Sequence, residues 1–217
     1  ANYFRDNGVY VADYYEKFGG KFSVEHKLFK NFTLKTGTNI TYGKRNYNPG
    51  RSFNRNPIFP VYDDEGNYWR YSASDYYHPI ALKELSTNTT TGMSVVANAG
   101  IDWKLFDGFT LTSQFNFKHD ESIQDIYNPN IYSETGAFNN GYGQINNSKS
   151  DNMVVDVYGT YDKVVAKKHH ITAMAGYSYE RYLGRSSSMT GVDFVNETLG
   201  NENLQAGNPE RYRISKI

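Results

Sequence analysis

The chain has 217 residues, with 23 basic and 23 acidic residues and no cysteine. Its balanced charge argues against a nucleic-acid-binding surface, and the lack of cysteine excludes disulfides, thiolate metal sites and a cysteine nucleophile. The mean hydropathy is −0.70, and no apolar run approaches the roughly 18 residues of a transmembrane helix. Aromatic residues still make up 16%, which is typical of surfaces that meet a membrane interface or a ligand.

Alternation of apolar and polar residues with a period of two is the main pattern along the chain. It is clearest in 32–43, where Phe32 and Ile40 share one face and Lys35 and Asn39 share the other. A helix would scatter the two polar residues among the apolar ones, so the pattern predicts a strand. Similar alternation occurs in chain order at 19–28, 94–105, 109–118, 152–163 and 170–180.

The connections between these segments are of two kinds. Short turns join pairs of alternating segments at 29–31, 106–108 and 164–168. They predict three hairpins, which cover about 19–43, 94–118 and 152–180. The other connections are long and rich in Asn, Tyr, Gly and Pro, and they cover about 44–93, 119–150 and 182–217.

This succession of short and long connections indicates the fold class. A compact soluble domain rarely holds several loops longer than ~15 residues, whereas outer-membrane barrels have short periplasmic turns and long extracellular loops. We therefore predict an all-β segment of antiparallel up-and-down hairpins, about six strands of a large transmembrane β-barrel. Because lipid does not tolerate open sheet edges, we expect further strands on both sides of this segment.

Four stretches carry a family resemblance. They are the loop segment 56–69, the hairpins around 28–34 and 103–110, and the stretch 161–177. Taken in this order, with NP-x-x-P-x-Y-x-x-x-G inside the long loop, they resemble the barrel of the SusC/RagA family of TonB-dependent outer-membrane transporters. The resemblance spans most of the chain.

The resemblance implies a function and partners as well as a fold. It implies a plugged barrel of about 22 strands in a Gram-negative outer membrane, which imports oligosaccharides or peptides beneath a surface lipoprotein of the SusD type. It implies no cofactor. The family's plug domain and TonB-contacting box have no match in this chain, so contact with TonB is implied only through regions outside it.

Aromatic residues in the 44–93 loop are the candidate ligand contacts. They are Tyr62, Tyr68, Trp69, Tyr71, Tyr76 and Tyr77. Flat rings can stack on a sugar or a peptide with few torsions to freeze; packing of the loop on itself, or contact with the membrane interface, is the alternative. The acidic run at 63–65 lacks calcium-loop spacing, and Asp-Glu-Gly-Asn is better explained as a turn. We predict no metal site.

Polar residues on the alternating segments are the candidate lumen contacts. They are Lys35, Asn39, Asp102, Lys104, Gln114, Asn116 and Lys118. In a plugged barrel such side chains would bind the plug or line the substrate path, or they would simply be hydrated. The sequence leaves these roles open.

Two other functional classes fit parts of the pattern. One is an outer-membrane porin or adhesin without energy coupling. The other is a soluble carbohydrate-binding β-sandwich, which requires Phe32, Leu34, Ile40 and Tyr42 to form one core. An enzyme is not predicted, because the sequence contains no G-x-S-x-G, H-E-x-x-H or P-loop motif.

Overall fold

One antiparallel sheet of eight strands, in the order β1 to β8, forms the body of the molecule. The computed structural model describes residues 1–10, 13–47, 55–76 and 78–217. The strands are β1 (Asn2–Asn7), β2 (Tyr14–Phe29), β3 (Phe32–Asn46), β4 (Thr87–Phe106), β5 (Phe109–Asn128), β6 (Tyr142–Val165), β7 (His169–Val192) and β8 (Arg213–Lys216). This arrangement confirms the all-β, antiparallel up-and-down prediction.

Short helices lie in the connections at one end of the sheet. They are α1 (Pro79–Leu85), α2 (Glu134–Asn139) and two 3-10 helices, Gly200–Ala206 and Pro209–Arg211. Within the described ranges, no helix has the length and apolar character needed to cross a membrane.

The number and length of the strands differ from the sequence-based expectation of about six. β1 and β8 are the two additional strands, with six and four residues, too short to show a periodic pattern. β4 to β7 are longer than expected, and β6 and β7 have 24 residues each. The ends of the expected loops 44–93, 119–150 and 182–217 are therefore strand, because polar residues fill both faces of these strand ends and hide the alternation.

The three short turns lie where the sequence predicted them. Phe29 pairs with Phe32 and Phe106 pairs with Phe109, so each of these two turns has two central residues. Gly108 has φ +85, a conformation that glycine adopts without strain. The turns share one end of the sheet, and the longer connections share the other, which we call the loop end.

The strand register sorts the side chains onto two faces. One cross-strand row contains Leu34, Ile101, Ser113, Val157 and Tyr177. The face that carries this row is mainly aliphatic and aromatic between the turns and the loop end, and we call it the apolar face. The opposite face, which carries residues such as Lys35, Gln114 and Asp156, is called the polar face.

The buried core lies at the loop end and not between layers. The buried apolar side chains are Ala81, Leu82, Tyr127, Tyr132, Val192 and Phe194. On the apolar face Ile40 is 48% exposed and Tyr177 is 72% exposed. The described strands form a single sheet, so the sandwich alternative, which needs a second sheet over Phe32, Leu34, Ile40 and Tyr42, is wrong.

A boundary between apolar and ionisable residues crosses the apolar face at an angle. Apart from His26, Lys163 and His169 towards the turns, the first charged or histidine side chains on this face are Arg5, Glu16, Lys44, His119, Asp151 and Arg181, from β1, β2, β3, β5, β6 and β7. β4 has none on this face. Arg5, Glu16 and Lys44 lie in one cross-strand row, which reaches β7 at Ser187, so the boundary is level over β1 to β3. At β7 the boundary is Arg181, six residues nearer the turns than Ser187.

We predict that Gly108→Ala destabilises the sheet. The new side chain would meet two penalties, since φ is +85 and the added Cβ would lie 2.9 Å from the carbonyl oxygen of Asp162. We expect a loss of about 1–3 kcal/mol in the free energy of unfolding, measured by urea titration. Gly20→Ala is the control, because its Cβ would meet nothing within 4 Å. Equal stability of the two variants would contradict the argument.

Candidate functional site

The register places all seven predicted lumen residues on the polar face. Lys35 and Asp102 are joined by an ion pair of 2.7 Å between Nζ and Oδ2, and the Thr112 hydroxyl donates to the other carboxylate oxygen at 2.8 Å. Lys118 forms a second pair with Asp120, also at 2.7 Å. The remaining four are Asn39, Lys104, Gln114 and Asn116, which face the same way by register. That this face lines a lumen stays a prediction.

The ion pairs on the polar face contribute little to stability. The Lys35 side chain is 52% exposed and that of Asp102 is 31% exposed, so water and salt screen the attraction between the two charges. Their role is to fix the positions of charged groups along an open surface. The surface therefore offers both charges and neutral hydrogen-bonding groups to a ligand.

A row of uncharged side chains crosses four strands of the polar face towards the loop end. We call it the amide ladder. The Gln124 amide donates to Asn88 at 3.1 Å, and the Asn146 amide donates to Gln124 at 3.3 Å. Ser188 donates to Asn146 at 2.7 Å and accepts from Gln144 at 3.0 Å. The ladder was not predicted, because Gln124, Asn146 and Ser188 lie in segments expected to be loops.

One shallow groove lies beside the amide ladder, and a second is lined by it. One has a volume of about 440 Å³ and is floored by small residues that include Gly43, Gly92 and Ser122. The phenol of Tyr15 stands 3.3 Å from the position that a Cβ on Gly43 would take. The other groove, of about 370 Å³, contains Gln124 and Asn146 themselves.

In the 47–86 connection, His78 holds the start of α1. Its Nδ1 accepts a hydrogen bond from the backbone N–H of Ala81 at 3.2 Å. Nε2 therefore carries the proton and lies 3.2 Å from the carbonyl oxygen of Val61, to which it donates. His78 is 1% exposed, and this burial, followed by the nearby charge of Arg55, lowers its pKa. The ring is neutral at pH 7 and ties α1 to the segment before it.

Tyr68 is the centre of an aromatic cluster that joins two connections. Its ring lies 5.2 Å from Tyr62, 5.1 Å from His78 and 5.4 Å from Tyr132, measured between centroids. Tyr132 belongs to the 129–141 connection, and its hydroxyl donates to the backbone carbonyl of Tyr68 at 3.2 Å. Burial raises the pKa of the Tyr68 phenol, which also donates to Glu84. The cluster fixes the first long connection against the second.

Trp69 packs beside an ion pair that is almost fully buried. Its ring lies 4.7 Å from Phe59, and the Arg55 guanidinium lies 5.3 Å from its centroid. Arg55 also pairs with Asp75 at 2.8 Å, where the two side chains are only 13% and 5% exposed. Removing either partner would leave a buried charge, which is strongly destabilising.

The five aromatic candidates that the structure describes do not form one platform. Tyr68 and Trp69 are packed inside the loop cluster, and the Arg70 guanidinium lies 5.8 Å from the Tyr76 ring. Tyr62 and Tyr71 are 51% and 65% exposed, so these two rings are open to a ligand. Tyr77 lies outside the described residues.

The acidic run in the same connection forms a turn. The Asp63 side chain accepts hydrogen bonds from the backbone N–H groups of Glu65 at 3.0 Å and Asn67 at 2.8 Å. These bonds occupy the carboxylate in the way the sequence predicted. In the part of the chain that the structure describes, no three His, Asp or Glu residues are grouped to hold a metal ion.

A second cluster joins the 129–141 and 193–212 connections. Phe194 is buried and meets the Tyr127 ring edge-on at 5.8 Å. Asp193 accepts from the amides of Asn140 at 2.8 Å and Asn208 at 3.2 Å. These hydrogen bonds hold the carboxylate charged and lower its pKa. No pattern in the sequence predicts this cluster.

The fold and the two faces together define a class of protein. A meander of long strands, with short turns at one end, packed connections at the other and an exposed apolar face, is typical of the wall of a transmembrane β-barrel. Two curated relatives from Formosa agariphila, TonB-dependent receptors P26 and P39, are 25% and 26% identical to the chain. The alignments cover 97% and 91% of this chain but 22% and 19% of the relatives.

Solved structures show the same barrel fold. The RagAB peptide transporter matches with a TM-score of 0.69 and 15% identity, and the closed-closed state of the RagAB peptide importer matches with 0.72 and 14%. Each match covers 94% of this chain and 25% of the other. No family model matches. These relatives and structures confirm the predicted resemblance to SusC/RagA-type TonB-dependent transporters, and none of them is named as an enzyme.

We predict that acid loosens the 47–86 connection through His78. A histidine in an unfolded chain has a pKa of about 6.5, and the pKa of His78 in the folded protein is lower. Below pH ~6.5 the unfolded segment therefore binds more protons, so stability falls as the pH falls towards the folded pKa. In a Trp103→Phe background, Trp69 fluorescence should change between about pH 7.5 and 5.

The matched variants test the assignment of this response to His78. His78→Gln cannot titrate and should make the fluorescence flat with pH. His170→Gln, at the exposed turn, should keep the full response. A response that persists in His78→Gln would show that another group is responsible.

Proposed function

We propose that this chain forms part of the wall of a TonB-dependent importer in a Gram-negative outer membrane. The apolar face meets lipid and the polar face lines the lumen. The observation that carries this proposal is the single sheet whose apolar face stays exposed, with an ionisable boundary that crosses the strands at an angle. A soluble protein would cover such a face with a second layer.

The slope of the boundary supports a membrane plane that the strands cross at a tilt. The boundary is level over β1 to β3 and then falls by six residues, or roughly 20 Å along the strands, between β3 and β7. A fall in one direction across neighbouring strands is expected where tilted barrel strands cross a membrane plane. A boundary that followed one cross-strand row would run perpendicular to the strands. A flat plane of lipid headgroups, crossed by tilted strands, explains why the boundary leaves that row.

The orientation follows from the same face. The short turns lie on the periplasmic side and the packed connections lie outside the cell, as in other outer-membrane barrels. The polar face then presents its charges and the amide ladder to a substrate in the lumen. The exposed rings of Tyr62 and Tyr71 stand above it, where an oligosaccharide or peptide would arrive. Two of the similar solved structures are a peptide transporter and a peptide importer, which supports the peptide class. The oligosaccharide class rests on the sequence resemblance alone.

We also propose that a surface lipoprotein of the SusD type docks on the loop end. Large apolar residues are exposed there, namely Ile58, Ile131, Phe138, Val195 and Leu199. Exposed apolar groups beside a rigid, packed cluster are typical of interaction surfaces. The energy for import would come from TonB through parts of the native protein outside this chain.

We predict that spin labels on β5 show alternating access to lipid and water. This chain has no native cysteine, so single cysteines can be placed at Phe115 and Phe117 on the apolar face, and at Gln114 and Asn116 on the polar face. In native outer membranes the first pair should favour collision with oxygen, and the second pair should favour a water-soluble nickel complex. Glu121, beyond the boundary on the apolar face, is the control and should be accessible to nickel. Equal access of the nickel complex to labels at Phe115 and Gln114 would contradict the membrane proposal.

We predict that deletion of the native gene abolishes uptake of one class of substrate. Growth of the deletion strain should be compared on oligosaccharides and on peptides as sole nutrients, with the uptake of labelled substrate measured in parallel. Deletion of TonB should cause the same defect, because import through this barrel is energised. Uptake that depends on the gene but continues without TonB would identify a passive porin instead.

A further inference from the structure

We infer that three basic residues on the apolar face, Lys149, Arg181 and Arg185, bind the phosphate groups of a glycolipid in the outer leaflet. We call these residues the basic cluster. This inference rests on the proposed membrane orientation, and it adds a lipid site to the outside of the barrel wall.

The basic cluster places like charges close together across two strands. Lys149 of β6 lies directly opposite Arg185 of β7 in the register. Arg181 shares their face and lies four residues nearer the turns, about 13 Å along β7. Like charges directly opposite each other destabilise a sheet. At the other end of the same boundary, Arg5 lies opposite an acid, Glu16, at 3.9 Å.

Nearby carboxylates leave the cluster with excess positive charge. Lys149 pairs with Glu121 at 2.7 Å, and Asp151 is held by the His119 ring at 2.6 Å. Among the described residues, neither Arg181 nor Arg185 forms an ion pair. Both are exposed. Two guanidinium groups are therefore available to an anion from outside the chain.

Exposed apolar side chains next to the basic cluster favour a lipid over a soluble anion as the ligand. The apolar face continues below Arg181 with Tyr179 and Tyr177, which are 44% and 72% exposed. Leu183, 37% exposed, lies between the two arginines on the same face. A ligand that fits has anionic groups at the level of the arginines and hydrocarbon against the rings below. A guanidinium can bind phosphate through two parallel hydrogen bonds, and tyrosines commonly occupy the membrane interface.

Native mass spectrometry of the native protein, purified in mild detergent, can test the site. The probes are a phosphorylated lipid A, the same lipid after enzymatic removal of its phosphates, and inorganic phosphate. Arg181→Gln with Arg185→Gln should weaken binding of the phosphorylated lipid by about ten-fold or more. The matched control is Arg45→Gln with Lys118→Gln, which removes two cations from the polar face and should leave lipid binding unchanged.

Each outcome bears on the inference. Equal binding of the phosphorylated and dephosphorylated lipids would overturn it, and so would unchanged binding in the double arginine variant. Displacement of the lipid by millimolar inorganic phosphate alone would show a site for free phosphate and would also overturn it. If the double variant fails to fold, Lys149→Gln provides the second test and should lower binding in the same direction.

Membrane fractionation separates this inference from the proposed function. A protein that reaches the outer membrane with the alternating label pattern, but does not distinguish the two lipids, would refute the lipid site alone. A protein that is absent from the outer membrane would refute both.

Discussion

Backbone hydrogen bonds between neighbouring strands, held in one register over almost their whole length, are the constraint on which the molecule depends. Along β3 to β7 the register shifts only next to the Phe106–Phe109 turn. Because side chains alternate between faces with a period of two, a slip of one residue would exchange the faces of a whole strand. The apolar face, the ion pair of Lys35 with Asp102 and the amide ladder therefore all follow from the same pairing.

A fixed register also explains how a sheet with no covering layer keeps a defined shape. The sheet buries few apolar side chains, and those cluster at the loop end around Tyr127, Tyr132 and Phe194. The connections are therefore packed and hydrogen-bonded elements. Tyr68 and Tyr132 are 64 residues apart in sequence yet meet in one aromatic cluster. Burial is concentrated where the chain leaves the sheet, and the sheet itself relies on its backbone pairing.

The sequence was most informative near the turns and least informative near the loop end. Close to the turns, large apolar residues alternate with polar ones, so the three hairpins and the faces of Lys35 and Gln114 could be predicted. Three apolar residues in succession at 153–155 blur the alternation, but the register resolves it, since Val155 pairs with Phe115 on the apolar face. Near the loop end, both faces of the long strands carry Ser, Asn and Thr, and a pattern based on hydropathy has nothing to detect.

The candidate site shows the same limit. The turn at Asp63 was predictable because its hydrogen bonds are local. The contacts of Tyr68 with His78 and Tyr132 were not, because they depend on how separate connections pack together in space. Aromatic composition alone could not separate the packed rings of Tyr68 and Trp69 from the open rings of Tyr62 and Tyr71.

The length of the strands beyond the apolar region has a consequence for the approach of a substrate. β6 continues for nine residues from Asp151 to Tyr142, roughly 30 Å of hydrogen-bonded strand. In the proposed orientation this part of β6 lies outside the bilayer, and the packed connections lie at its end. A substrate would therefore be surrounded by these extended strands before it reached the level of the lipid. The size of an acceptable cargo would be set by the fixed spacing of strands and less by the motion of loops.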